Sequence, residues 1–122
     1  MLSDNDITRI AERVARRCAP LVVGTFGSYA IGTPREQSDL DLFVIRSCTG
    51  PLFATEPAIR RILFGVLHPL DIHVFTPQEF EEAAREVLSF AWVIARQARI
   101  YYATEQANGL VPSLFRFARK DA

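Results

Sequence analysis

Gly27-Ser28 is followed, after ten residues, by Asp39-Leu40-Asp41, and this run restricts the fold more than any other part of the sequence. Upstream, Leu21-Val22-Val23 is a short β-branched run ending at Gly24, which predicts a buried strand that delivers the chain into a glycine-rich turn. Ser28 to Ile31 then begins a short helix, a Thr-Pro-Arg-Glu-Gln loop follows, and residues 40–46 read as a second strand. On that strand Leu40, Leu42 and Val44 share one face, while Asp39, Asp41, Phe43 and Ile45 share the other. Both carboxylates therefore project to the same side.

The flanking segments carry their own start and stop signals. Ile7, Ile10, Ala11, Val14, Ala15 and Cys18 recur at helical spacing behind Ser3 and Asp6 in capping positions, with Pro20 beyond the end. Thr55, Glu56 and Pro57 open another helix, with Ile59, Ile62, Leu63 and Val66 as its apolar stripe, and His68-Pro69 breaks it. Leu70 to Phe75 alternates again, with Leu70, Ile72 and Val74 inward and Asp71, His73 and Phe75 opposite. Thr76-Pro77-Gln78-Glu79 is a capping box that opens a helix running through Phe80, Ala83, Ala84 and Val87. A second helical segment, Phe90 to Arg96, follows it, and a last strand spans residues 98–103. Asn108-Gly109 punctuates the start of a tail. That tail mixes Leu110, Leu114, Phe115 and Phe117 with Arg116, Arg119 and Lys120, which suits either closure of the chain's own core or docking of a partner.

Two carboxylates about 6 Å apart on one strand face repel by about 3 kcal/mol at an effective dielectric near 20. A divalent cation offsets that cost directly, and magnesium is normally held by one or two carboxylates plus substrate phosphates. Asp39 and Asp41 fit this description, and Asp71 on a neighbouring strand adds a third acid. Three acids can hold two ions, an arrangement suited to in-line displacement at phosphorus. Glycine at position 27 lets the backbone approach a ligand closely, and backbone N–H groups at a helix start bind phosphate oxygens, to which Ser28 adds a hydroxyl. Alone, a Gly-Ser turn is most often a plain turn and Asp-x-Asp a solvated strand face. Their order and spacing, with Asp71 following, favour a site.

With these residues in place, the chain resembles the minimal nucleotidyltransferases of the DNA polymerase beta-like superfamily. Their signature of Gly-Ser, ten residues, Asp-x-Asp and a later third acid is matched by Gly27, Ser28, Asp39, Asp41 and Asp71. The resemblance covers about residues 20–103. It implies an α/β (α+β) fold with a mixed, mostly antiparallel sheet and flanking helices. It also implies magnesium, in two ions, and transfer of a nucleoside monophosphate from a nucleoside triphosphate such as ATP. Carried over, Gly27 and Ser28 bind the triphosphate, Asp39 and Asp41 ligate both metals, and Asp71 ligates the catalytic metal and helps deprotonate the attacking hydroxyl. Ser38 is a further candidate for the phosphates, or else a loop cap. Arg35, the cation of the connecting loop, and His73, on the face of Asp71, read more simply as surface or packed residues.

Length and composition narrow the functions. A chain of 122 residues fits one domain, residues 1–122, with a core at about 20–103 and a tail at 104–122. Lys plus Arg and Asp plus Glu both total 14, so no global basic field exists to hold a nucleic-acid backbone. Cys18 and Cys48 lie in apolar surroundings without metal-site spacing and are expected to be reduced, packed thiols. No run of membrane-spanning length or leader pattern appears, so a cytoplasmic location is expected.

Many stand-alone minimal nucleotidyltransferases look like the antitoxin half of a toxin-antitoxin pair whose toxin, a helical HEPN-type ribonuclease, is neutralised by AMP transfer to a tyrosine hydroxyl, and this resemblance implies a hetero-oligomer here. The absence of a second domain to bind a polymer or an antibiotic points the same way, toward an acceptor that brings its own surface. Two alternatives stand beside it: an antitoxin that works by occlusion without chemistry, and a small-molecule, aminoglycoside-like nucleotidyltransferase.

Overall fold

The computed structural model describes residues 1–47 and 55–116. Helix α1, Asp4–Cys18, begins at a capping box in which the Ser3 side chain accepts from the Asp6 N–H and the Asp6 carboxylate accepts from the Ser3 N–H. Asp4 and Asp6 in its first turn and Arg16 and Arg17 in its last both favour the helix dipole. One stripe, Ile7, Ile10, Ala11, Val14 and Cys18, is buried, each large aliphatic contributing about 2 kcal/mol relative to exposure. An aspartate in place of Val14, which is wholly buried, would break that contact.

Strand β1, Val22–Phe26, continues through Gly24 rather than ending there as expected. Gly24 serves close approach, not a turn. A Cβ at this position would lie 2.6 Å from the Arg99 carbonyl oxygen and 2.6 Å from Phe43 Cε1. The register also shifts between Val23 and Gly24 where β1 meets its later neighbour, the local irregularity that a strand glycine often marks.

Gly27 turns the chain into the short helix α2, Ser28–Ile31, and the connecting loop leads to β2, Leu40–Ile45. Helix α3, Glu56–Ile62, is capped by Thr55 and ends before Val66, which packs on the core from the following turn. It forms the crossover to β3, Leu70–Phe75, which lies parallel to β2. Helices α4, Pro77–Ala83, and α5, Phe90–Gln97, follow, and then β4, Arg99–Ala103, antiparallel to β1. The capping box at Thr76 and Glu79 forms as the sequence predicts, but α4 stops at Ala83, four residues short of Val87. Asn108-Gly109 lies inside a helical turn, α6, Ala107–Leu110, and does not break the chain. A last turn, α7, spans Pro112–Arg116.

The four strands run in the order β3-β2-β1-β4, mixed in direction, with β1 antiparallel to both its neighbours. This is the mixed, mostly antiparallel α+β sheet with flanking helices that the resemblance implies. Both faces of the sheet are buried, which corrects the reading of one inward face. Leu40, Leu42, Val44 and Ile72 pack under α1 and α3. Phe43, Ile45 and Phe75 pack on the other side with Phe80, Ile94, Ala95 and Leu114 from α4, α5 and α7. The described part of the tail thus closes this second core, and Leu114 is buried in it. Phe117, Arg119, Lys120 and Cys48 lie outside the described residues. Cys18 is a buried free thiol, its pKa pushed up by burial. Among the described residues no helix is long and apolar enough to cross a membrane.

Candidate active site

At one end of the sheet, the end of β1 meets the starts of β2 and β3. Antiparallel register sets Phe26 opposite Asp41, and parallel register sets Asp41 beside Asp71. Gly27 follows Phe26 at φ +74°, a left-handed conformation that L side chains rarely adopt. A Cβ there would collide with Asp41 Oδ2. The glycine is therefore required twice, for its backbone angle and for the carboxylate beneath it. Its carbonyl accepts from the N–H groups of Ala30 and Ile31, closing α2, while the first N–H groups of that helix have no acceptor within it.

The three acids are placed differently. Asp41 is half-buried within β2, Asp71 is exposed on β3, and Asp39 stands exposed one residue before β2 begins. Burial pushes the Asp41 carboxyl above the usual carboxylate range, and the negative charge of Asp71 adds to the shift. His73 opposes it and Asp39 adds a smaller push, so each of these groups acts on Asp41. A carboxylate held among like charges at the edge of a core is costly when ionised and welcomes a cation. The donor set is all oxygen, which suits a hard ion such as magnesium. Among the described residues no three acidic, histidine or cysteine side chains already converge on one point. Magnesium needs no such cage when it completes its shell with water and substrate phosphates.

His73, on the face of Asp71 as the alternation predicts, is clamped between aromatic rings. Its centroid lies 5.2 Å from that of Phe26 and 4.5 Å from that of Phe90. Its Nε2 is buried, lies 3.5 Å from Asp71 Oδ2, and makes no hydrogen bond among the described residues. The contact is electrostatic rather than a formed hydrogen bond. Phe90, half of this clamp, is 59% exposed. The sequence offers no sign of the clamp, because Phe90 reaches the site from the start of another helix.

Ser28 is half-buried at the start of α2. Ser38 acts as a loop cap: its hydroxyl accepts from the Arg35 N–H at 2.9 Å, and its own N–H donates to the Arg35 carbonyl at 3.0 Å. Arg35, exposed, lines an open groove of about 490 Å³ with Glu36, Gln37 and Ser38. Among the candidates, Gly27, Asp41 and Asp71 are brought into one place by the register. The charge of Asp39 acts on Asp41, and Ser38 is tied to the loop.

A strand ending in a tight glycine turn with an acid beneath it, and a second acid on the adjacent parallel strand, place a glycine turn and two carboxylates at one end of a four-stranded mixed sheet. The family model of the nucleotidyltransferase domain matches residues 7–114, and the chain belongs to that family. Its fold is similar to that of a chain in a crystal structure of a mutant of the toxin-antitoxin MntA-HpeT. The TM-score is 0.56 at 14% identity, over 94% of this chain and 86% of that one. It is also similar to a chain in a toxin-antitoxin crystal structure with AMP-PNP, with TM-score 0.54 at 16% identity and the same shares of 94% and 86%. At these identities the likeness is one of fold. No curated protein matches the sequence significantly.

Proposed function

We propose that the chain moves AMP from ATP to a hydroxyl of a partner protein, as the antitoxin of a pair whose toxin is a HEPN-type ribonuclease. The observation that carries the chemistry is the pairing of Asp41 with Asp71 across β2 and β3 beneath the Gly27 turn. For the partner, support comes from the fold shared with chains of toxin-antitoxin structures, one of them with AMP-PNP.

In this reading Gly27 and Ser28 receive the triphosphate through backbone N–H groups and the Ser28 hydroxyl. Ser38, whose oxygen already caps the loop, still has its O–H to donate. Asp39 and Asp41, with Asp71, would hold two magnesium ions completed by water and the substrate phosphates. When bound, magnesium neutralises charge that builds on the phosphate oxygens. Asp71, with its side chain 54% exposed, faces an acceptor arriving from solvent and takes the proton of the acceptor hydroxyl. The acceptor oxygen bonds to the α-phosphorus as the bond to the bridging β-phosphate oxygen breaks, and pyrophosphate leaves. The rings of Phe26 and Phe90 hold His73 in place behind Asp71.

Incubation with ATP labelled at the α-phosphate, magnesium and the co-purified partner tests the proposal. Label on the partner is the expected result, and label on no protein sinks the idea. Cells carrying Asp39→Asn with Asp41→Asn separate chemistry from occlusion. Loss of protection is expected, whereas full protection at native expression assigns neutralisation to binding alone.

A further inference from the structure

Asp39 lies outside β2, so the strand ladder does not by itself set the direction of its side chain. The two peptide units on either side of its Cα are nonetheless both held. The Ser38 carbonyl, in the peptide before Asp39, accepts from His68 Nε2 at 2.8 Å. The Leu40 N–H, in the peptide after Asp39, donates to the Pro69 carbonyl at 3.0 Å. Consecutive residues 68 and 69 therefore clamp both peptides, and with them the φ and ψ that set the direction in which the Asp39 side chain leaves the backbone. Because a carbonyl only accepts, Nε2 of His68 must carry a hydrogen.

The same imidazole touches the turn that opens the site. Tyr29, the residue after Ser28, sets its ring edge-on to His68 with centroids 5.9 Å apart, and its hydroxyl lies 3.5 Å from Nε2. That hydroxyl is anchored in turn by the Leu2 N–H at 3.1 Å, and Tyr29 is buried in the core under α1. One half-buried histidine thus bridges α2, the loop end before Asp39 and the lead-in to Asp71.

We propose that His68 is a positioning residue of the nucleotidyl-transfer site, holding the Ser38–Asp39 peptide so that the Asp39 carboxylate points to where the metal binds. The proposal rests on the function assigned above. Partners that orient metal ligands without touching the metal typically carry about 10- to 100-fold in metal affinity or activity.

The test compares wild type, His68→Ala and His68→Gln in the full chain, with folding checked by circular dichroism and melting. Each is titrated with Mn2+ in the presence of AMP-PNP, free Mn2+ being read by electron paramagnetic resonance, and each is assayed for AMP transfer. Glutamine can place its amide nitrogen where Nε2 stands, so His68→Gln is expected within about twofold of wild type, and His68→Ala about tenfold weaker for Mn2+. The alanine variant should lose more in kcat than it changes in KM for ATP. A folded His68→Ala that binds Mn2+ like wild type overturns the proposal, as does a folded His68→Gln that falls as far as alanine. Should alanine fail to fold, His68→Asn, whose shorter side chain cannot span the 2.8 Å contact, is read by the same two outcomes. Wild type that neither binds Mn2+ nor transfers AMP overturns the nucleotidyl-transfer reading itself.

Discussion

The Asp41 carboxylate occupies the space that a side chain at Gly27 would fill. Gly27 also sits at φ +74°, so Gly27→Ala meets a backbone penalty and a collision together. The expected cost is about 2 kcal/mol of stability. Displacing the acid by even about 1 Å should cost transfer about a hundredfold. Urea unfolding and transfer rates measured on the same preparation check both. A Gly27→Ala protein with wild-type activity would show that Asp41 is not placed by this contact.

Asp41→Asn is expected to separate stability from activity. Burial, then Asp71, raise the Asp41 pKa, so its folded value lies above the unfolded one. Its contribution is favourable only below the unfolded pKa and is lost as pH rises through the folded one, leaving the ionised group a burden at neutral pH. Asn removes that burden, and the metal-free protein should gain about 0.5 kcal/mol, a small figure because the site is partly solvated. Transfer should fall by more than the roughly 10- to 100-fold that follows loss of an outer partner of a metal ligand. Melting without metal and a transfer assay with it test the two halves.

Glu81 fastens the end of the described chain. Its carboxylate accepts from the Ser113 N–H at 3.1 Å and from the Ser113 hydroxyl at 2.8 Å, joining α7 to α4. Glu81→Ala should cost about 1.5 kcal/mol and speed hydrogen exchange at the Ser113 amide. Unchanged exchange there would mean that Leu114 and its apolar neighbours hold α7 alone.

Tyr101 donates its hydroxyl to Asp4 Oδ1 at 2.7 Å, linking β4 to the first turn of α1. Burial first, then this bond, push its pKa up to about 12. The folded value exceeds the unfolded one near 10, so the associated stability is complete below about pH 10 and is lost as pH rises through about 12. Tyr101→Phe should cost about 1 kcal/mol at neutral pH, discounted for partial exposure, and should lose less on alkalinisation. Unfolding free energies at neutral pH and near pH 12 measure the difference.

Helix starts were the most legible part of the sequence, because their signals are local. Ser3 with Asp6, Thr55, and Thr76 with Glu79 all cap as their spacing predicts. Strand alternation likewise put Asp41 and Asp71 on matching faces, and the register sets them side by side. What escaped depends on distant partners. Gly24 reads as a turn residue until the Phe43 ring and the Arg99 carbonyl are seen against it. The early end of α4 goes with the tight turn before α5, where Leu88 takes φ +70° and the Ser89 hydroxyl donates to the Ala83 carbonyl at 2.7 Å. His68 reads as a helix breaker, and its bond to the Ser38 carbonyl spans 30 residues without local trace.

The most direct test of nucleotidyl transfer at this site is the intact mass of the co-purified partner after incubation with ATP and magnesium. Transfer through Asp41 and Asp71 predicts a gain in whole multiples of one AMP, lost on chelation and lost in Asp41→Asn. A partner whose mass stays constant with the wild-type protein, or rises equally with Asp41→Asn, would contradict it.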